Sequence, residues 1–192
     1  MVVLLGVGGT GKTQLSLKYC RQMKENRRFR GIFWLDASSR NALESSMLSI
    51  CQQLSPGRIV DNPRAGVKLV RTTLSNWSNP WLLVFDNFDN PIDIPDIIHF
   101  FPDNGCGSIL ITSRSAASRE LGEVIELDRM EKDEGLELLL RSSQVDSKDV
   151  DVVEKILGHS EYLPLAIDQI RANTLSQRLR LVDFHDQYER RK

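Results

Sequence analysis

The sequence predicts an α/β fold, a parallel five-stranded sheet flanked by helices and followed by a small all-helical part. Three observations carry this. Short apolar runs alternate with amphipathic stretches from Met1 to Arg129, in the manner of βα units. Gly6-Val7-Gly8-Gly9-Thr10-Gly11-Lys12-Thr13 reads G-x-x-x-x-G-K-T directly behind the apolar run Met1–Leu5, so strand, glycine loop and helix follow in order. From Met130 onward only helical periodicity remains.

The elements follow in chain order. After the first strand and the loop, a helix opens near Lys12. Gly31-Ile32-Phe33-Trp34-Leu35-Asp36 is a short buried strand. Leu43, Met47, Ile50, Cys51 and Leu54 fall on one face of a second helix, which Pro56-Gly57 breaks. Asn62-Pro63 reads as an N-cap with proline at the first helical position, and Val67, Val70, Leu74 and Trp77 form that helix's stripe. Asn79-Pro80 stops it. Trp81–Phe85 is a continuous apolar strand, as expected where both sheet faces are covered. A proline-rich, acidic connection from Asp89 to Pro102 carries a short helix near Asp96 to Phe100. Gly107–Thr112 and Val124–Leu127 are the fourth and fifth strands. Three further stripes follow: Leu136, Leu139 and Leu140; Val150, Val153 and Leu157; Leu163, Ile167 and Ile170. A last helix begins near Leu181. The expected division is 1–129 and 130–192.

Composition narrows the class. The chain has 192 residues, 41% hydrophobic and 27% charged, as in a soluble globular protein. No apolar run approaches the about twenty residues that span a bilayer, and Met1 leads into a strand without a basic leader, so a cytoplasmic location is expected. A net charge of −1 gives no argument for a polyanionic partner. The basic stretch Lys18 to Arg30 reads as a solvated end of the first helix, where cations favour the negative pole. Nucleic acid is the lesser alternative, because no aromatic stacking platform is interleaved with it. Cys20, Cys51 and Cys106 form no C-x-x-C pair and read as reduced thiols, with Cys20 and Cys51 on apolar helix faces.

The chemistry begins at the glycine loop. Glycines let the backbone wrap an anion so that successive N–H groups point inward, and the helix opening at Lys12 adds its positive pole. Gly6 to Gln14 are therefore candidate nucleotide-binding residues. Lys12 supplies a cation for the β- and γ-phosphates, and the Thr13 hydroxyl can ligate Mg²⁺. The alternative, a glycine turn opening an ordinary helix, is outweighed because every motif position is filled in the required context. Asp86 ends an apolar strand, where carboxylates face ligands in such sheets, and is the candidate partner of Thr13 on the metal. An acidic residue merely starting a turn is the common alternative. Arg114, after the fourth strand, can reach a γ-phosphate with its planar fork; a surface salt bridge is the competing reading.

Five ordered motifs carry a resemblance: Gly6 to Thr13, Phe33 to Ser38 (F-W-L-D-A-S), Trp81 to Asn87 (W-L-L-V-F-D-N), Gly107 to Arg114 (G-S-I-L-I-T-S-R) and Leu163 to Ile167 (L-P-L-A-I). Together they resemble an NB-ARC domain, the nucleotide-binding switch of STAND-class signalling ATPases, in wording most similar to fungal NOD-like receptors that act in innate immunity. The resemblance implies a P-loop NTPase sheet of order 5-1-4-3-2 and a helical subdomain of the kind called ARC1. It implies that ATP or ADP with Mg²⁺ is bound, that residues matching Thr13 and Asp86 serve the metal, that Arg114 senses the γ-phosphate and that Pro164 packs on adenine. Pro164 is equally a proline in the first turn of a helix. The absence of a guanine-reading Asn-Lys-x-Asp motif also favours adenine.

Departures from the pattern shape the expected function. Asn87 stands where the family often has a second acid, and an amide cannot take a proton, so at best it orients water. Asp89 would need a different backbone path to replace that acid. Tyr162 replaces a glycine before L-P-L. The family's segment before the first strand and its winged-helix subdomain are missing, so the chain reads as an excised core. The leading expectation is an ATP/ADP switch whose nucleotide exchange drives conformational change and homo-oligomerisation of a longer receptor, with slow or absent hydrolysis. In that reading Asp86, Asn87 and Arg114 are the candidate catalytic residues. A turnover ATPase and an interaction scaffold locked on ADP remain the alternatives.

Overall fold

In the computed structural model, which describes residues 1–57, 60, 62–103, 105–141 and 150–190, the strands β1 (Val2–Leu5), β2 (Gly31–Asp36), β3 (Trp81–Asp86), β4 (Ser108–Ser113) and β5 (Glu123–Glu126) build one sheet. Its order is β2-β3-β4-β1-β5, all pairs parallel, which is the predicted 5-1-4-3-2 read from the other edge. Parallel neighbours need crossovers, and helices supply them: α1 (Lys12–Glu25), α2 (Arg40–Leu54) and α3 (Pro63–Ser75). Every residue of β3 is buried, which explains its unbroken apolar sequence. The edge strand β5 exposes Glu123, Ile125 and Glu126.

Pairing, not apolarity, sets the strand ends, and two predicted strands, the fourth and the fifth, shift by one residue. The β4 ladder opens with Ser108 opposite Leu82, leaving Gly107 outside. A Cβ at Gly107 would lie 2.0 Å from the Trp81 ring, so only glycine fits there. The β5 ladder opens at Glu123, whose N–H bonds the Met1 carbonyl at 3.2 Å, and Leu127 falls beyond it.

Among the helices around the sheet, the starts of α2 and α3 are fixed by side chains. Ser39 caps α2 through the Ala42 N–H, and Asn62 caps α3 through the Ala65 N–H at 2.8 Å, with Pro63 following as predicted. The end of α3 differs from expectation. Asn76 closes a tightened last turn after Ser75, so Trp77 lies past the helix and tilts its ring against Phe33 instead. The basic stretch also divides: α1 ends at Glu25, and Arg27, Arg28 and Arg30 belong to the turn into β2. The predicted short helix before Pro102 is a 3₁₀ turn, Ile97–Phe100, whose Ile97 and Phe100 join the core with Phe88, Ile94 and Phe101. A second 3₁₀ turn, Ala116–Leu121, has no apolar period and went unanticipated. Cys51 is buried, Cys20 half-buried and Cys106 exposed, all as free thiols.

The chain resolves into two units, Met1–Gly6 with Lys12–Glu126, and Val7–Gly11 with Leu127–Lys192. The first holds the sheet and its core. The second holds α4 (Lys132–Leu140), α5 (Val150–His159), α6 (Pro164–Gln177) and α7 (Leu181–Glu189). A capping box of Glu131 and Glu134 starts α4. Leu139, Val153, Ile156, Leu157, Ile167 and Leu181 form its core, with Leu136, Leu140 and Ile170 packed around them. The Val150 side chain of the predicted stripe lies outside what is described. Among the described residues, no helix is long and apolar enough to cross a membrane.

Candidate functional site

Parallel register brings Asp36 beside Asp86, Phe85 beside Ile111 and Leu5 beside Ser113, so the carboxyl ends of four strands share one rim. Ligands of open α/β sheets bind outside such rims. Thr13, in the first turn of α1, donates its hydroxyl to Asp86, at 2.9 Å to Oδ1 and 3.2 Å to Oδ2. The Thr112 hydroxyl donates to the same Oδ1 at 2.5 Å, and accepts the Asn87 N–H at 2.9 Å. Asp86 is only 5% exposed, and these hydroxyls satisfy its carboxylate. Thr112 is a positioning residue that the sequence reading passed over; a threonine inside an otherwise apolar strand is its signal.

The donor set fits a hard divalent cation. Thr13 Oγ1 and Asp86 Oδ1 stand 2.9 Å apart as hydrogen-bond partners, so one side chain would bring its oxygen to an ion held by the other. Both are oxygen donors of the kind magnesium takes.

The ammonium of Lys12 bonds the Gly6 carbonyl at 2.7 Å, bridging the residues at either end of the glycine loop. Burial lowers the Lys12 pKa below the usual lysine range, Asp89 and Asp86 oppose that shift, and Arg114 adds to it. A phosphate beside the ammonium would oppose the desolvation directly.

Arg114 follows β4, and its guanidinium does not stand alone. Asp89 accepts the Arg114 backbone N–H at 2.8 Å with one oxygen and Arg114 Nε at 2.6 Å with the other. Asn87, between the two acids, has φ 65°, a left-handed conformation that asparagine tolerates better than most residues. The backbone thus gives Asn87 a reason to be asparagine that is separate from proton chemistry. Gln14 is exposed in the first turn of α1.

In the second unit, Gly9 and Gly11 hold φ of 87° and 89° on either side of Thr10. Such alternation turns successive N–H groups to one side as an anion-binding nest. Thr10 donates to the Val7 carbonyl at 3.0 Å and steadies the loop. The Leu165 N–H donates to the Gly9 carbonyl at 3.1 Å, and a Cβ at Gly9 would sit 3.4 Å from that of Leu165. Pro164, at the first position of α6, therefore stands next to the glycine loop. Tyr162 holds φ 56°, which supplies the physical reason for a glycine in the family's pattern. Its carbonyl accepts the Met130 N–H at 3.0 Å.

Known proteins resemble this chain in sequence and in fold. The family model described as "NB-ARC domain" matches residues 1–149. A protein of Hyaloscypha variabilis described as a nucleotide-binding leucine-rich repeat (NLR)-like protein is 28% identical over 98% of this chain, which spans 21% of that protein's length. The fold is similar to Cdc6p from Pyrobaculum aerophilum, with a TM-score of 0.63 and 14% identity over 93% of this chain and 56% of that one. It is also similar to a signal transduction ATPase with numerous domains (STAND) carrying a tetratricopeptide repeat sensor, from Pyrococcus horikoshii, with a TM-score of 0.52 and 15% identity over 88% of this chain and 27% of that one. A matched family model over most of the chain, on a phosphate-loop sheet with these rim residues, establishes that the chain belongs to the NB-ARC family as a nucleotide-binding domain.

Proposed function

We propose that the domain is an adenine-nucleotide switch that exchanges ADP for ATP and, within a longer receptor, drives conformational change and homo-oligomerisation, with slow or absent hydrolysis. The observation that carries this reading is the hydrogen-bonded Thr13–Asp86 pair, two oxygen donors that follow the buried Lys12 of the G-x-x-x-x-G-K-T run. Loop amides between Val7 and Thr13 cradle the phosphates, and Lys12 leaves the Gly6 carbonyl to meet them. Thr13 and Asp86 would hold Mg²⁺, which would supply positive charge to the phosphates. Thr112 keeps Asp86 oriented. Pro164, beside Gly9, offers an apolar face to adenine.

Arg114 distinguishes the two nucleotides. A ligand shifts a conformational equilibrium only by its unequal affinity for the states. Moving a protein from mostly closed to mostly open takes roughly 5 kcal/mol, whereas one charged hydrogen-bonded contact supplies about 1.5–3 kcal/mol. Arg114 must also leave Asp89 to make that contact. The isolated domain therefore switches incompletely, and the remainder comes from the rest of the receptor. Asn87 accepts no proton, which keeps hydrolysis slow.

The test is to strip the purified chain of nucleotide and measure ATP and ADP affinity by calorimetry, with and without Mg²⁺, alongside steady-state turnover. Saturable binding that Mg²⁺ strengthens, with ATP cleaved at less than a few turnovers per minute, is the expected result. Absence of heat with either nucleotide overturns the reading, many turnovers per minute would make the domain a turnover ATPase, and refusal to exchange ADP over hours would make it a locked scaffold.

A further inference from the structure

We infer that the second unit carries a transition-metal site built from His159, His185 and Glu189. His185 and Glu189 are four residues apart on α7, so they share one face of that helix. His159 is the last residue of α5, which packs against α7. One potential ligand atom from each of the three lies within 4.8 Å of the others. His159 Nε2 and Glu189 Oε1 are 3.5 Å apart, close to the about 3.3 Å edge of a tetrahedron with 2.0–2.1 Å bonds to zinc. The wider spacings close by side-chain rotation.

The two imidazole rings stack at 5.9 Å with 15° between planes, and the Tyr188 ring packs on His159 at 5.2 Å. An ion lies in the plane of each imidazole it binds, so shared ligation requires the His185 ring to turn out of this stack while His159 keeps its place beside Glu189. Asp186 places a second carboxylate oxygen 3.9 Å from His185 Nδ1. Two imidazoles and a carboxylate select Zn²⁺ or a similar borderline metal over Mg²⁺ or Ca²⁺, which take oxygen ligands. A cavity of about 320 Å³ borders the cluster, lined by Phe184, Tyr188, Asn173 and both histidines. It leaves the fourth coordination position open to water or to a ligand from outside. An ion held this way would clamp α7 to α5. The inference is independent of the nucleotide reading, since none of these residues belongs to the phosphate site.

The test uses the purified 192-residue chain, stripped with chelator and titrated with Zn²⁺ by calorimetry and with Co²⁺ by visible absorption. One equivalent is expected to bind, with cobalt bands of a four-coordinate nitrogen and oxygen site. His159→Asn and Glu189→Gln, both changes at solvent-facing side chains, should each weaken binding at least about tenfold, since even outer-shell changes cost that much. His99→Ala, outside the cluster, should leave it unchanged. No saturable binding by the unaltered chain, affinity unchanged in both cluster variants, or cobalt–thiolate bands pointing to the cysteines would each overturn the site.

Discussion

Two aspartates follow each other across the same rim and behave in opposite ways. Asp86 closes β3, is almost wholly buried, and receives hydroxyls from Thr13 and Thr112. Asp89, three residues on, lies past a left-handed asparagine and grips an arginine whose side chain is 59% exposed. A buried carboxylate held by two hydroxyls is a fixed part, already oriented before any ligand arrives. A carboxylate paired to a largely exposed guanidinium is a latch, because such a pair is worth little and is easily exchanged. In the proposed switch, the first aspartate would hold the metal and the second would govern when Arg114 is available.

The largest effect is expected from removing the fixed part. Asp86→Ala takes the acceptor from two hydroxyls, one of them buried, and an orphaned buried polar group costs about 1–3 kcal/mol. For a domain of this size each kcal/mol lowers Tm by roughly 2–4 °C, so scanning calorimetry should show a fall of several degrees. Calorimetric titration should show that Mg²⁺ no longer strengthens nucleotide binding. A variant that melts like the unaltered chain and keeps its Mg²⁺ response would mean that Asp86 is not the fixed member of the pair.

A smaller and more selective effect is expected at the other end of the latch. Arg114→Ala removes an exposed side chain, so Tm should hardly move. ATP affinity should drop by roughly tenfold to a hundredfold, the value of one charged hydrogen-bonded contact, while ADP affinity stays within about twofold. Equal losses for the two nucleotides would show that Arg114 does not read the third phosphate, and the contrast between the two aspartates would lose its functional meaning.

How much of this was legible in the sequence follows the same contrast. Gly6 to Thr13 and Asp86 were readable because a phosphate loop fixes residue types at fixed spacing, and because an unbroken apolar run such as Trp81–Phe85 has to be buried. The order of the strands came from the family resemblance, since spacing alone does not say which strands pair. Trp77 was misplaced because its helical spacing continues past Ser75, while the tightened turn at Asn76 that ends the helix leaves no periodic trace. Thr112 was hidden among strand residues, although its hydroxyl donates to the buried Asp86 carboxylate. The Asp89–Arg114 pair joins residues on separate loops, and only the sheet register brings them together. Asn87 was read as a lost base. Its φ of 65° shows that the backbone also has a claim on that position.

The smallest expected effect tests the latch itself. Asp89→Asn keeps an oxygen for the Arg114 backbone N–H, so the loop is preserved, but cancels the charge that holds the guanidinium. Two consequences share a sign. Arg114 is released toward the third phosphate, and a negative charge that acts on Lys12 is removed, which favours any incoming anion. The second consequence applies to ADP and ATP alike, so the ratio of their affinities isolates the first. An exposed ion pair is worth about 0–1 kcal/mol, which caps the gain in the ATP-to-ADP ratio near fivefold. The gain should shrink as salt rises, because the pair is already screened. If the ratio is unchanged even at low ionic strength, Arg114 reaches the phosphate without leaving Asp89, and the two acids of the rim are then both fixed parts.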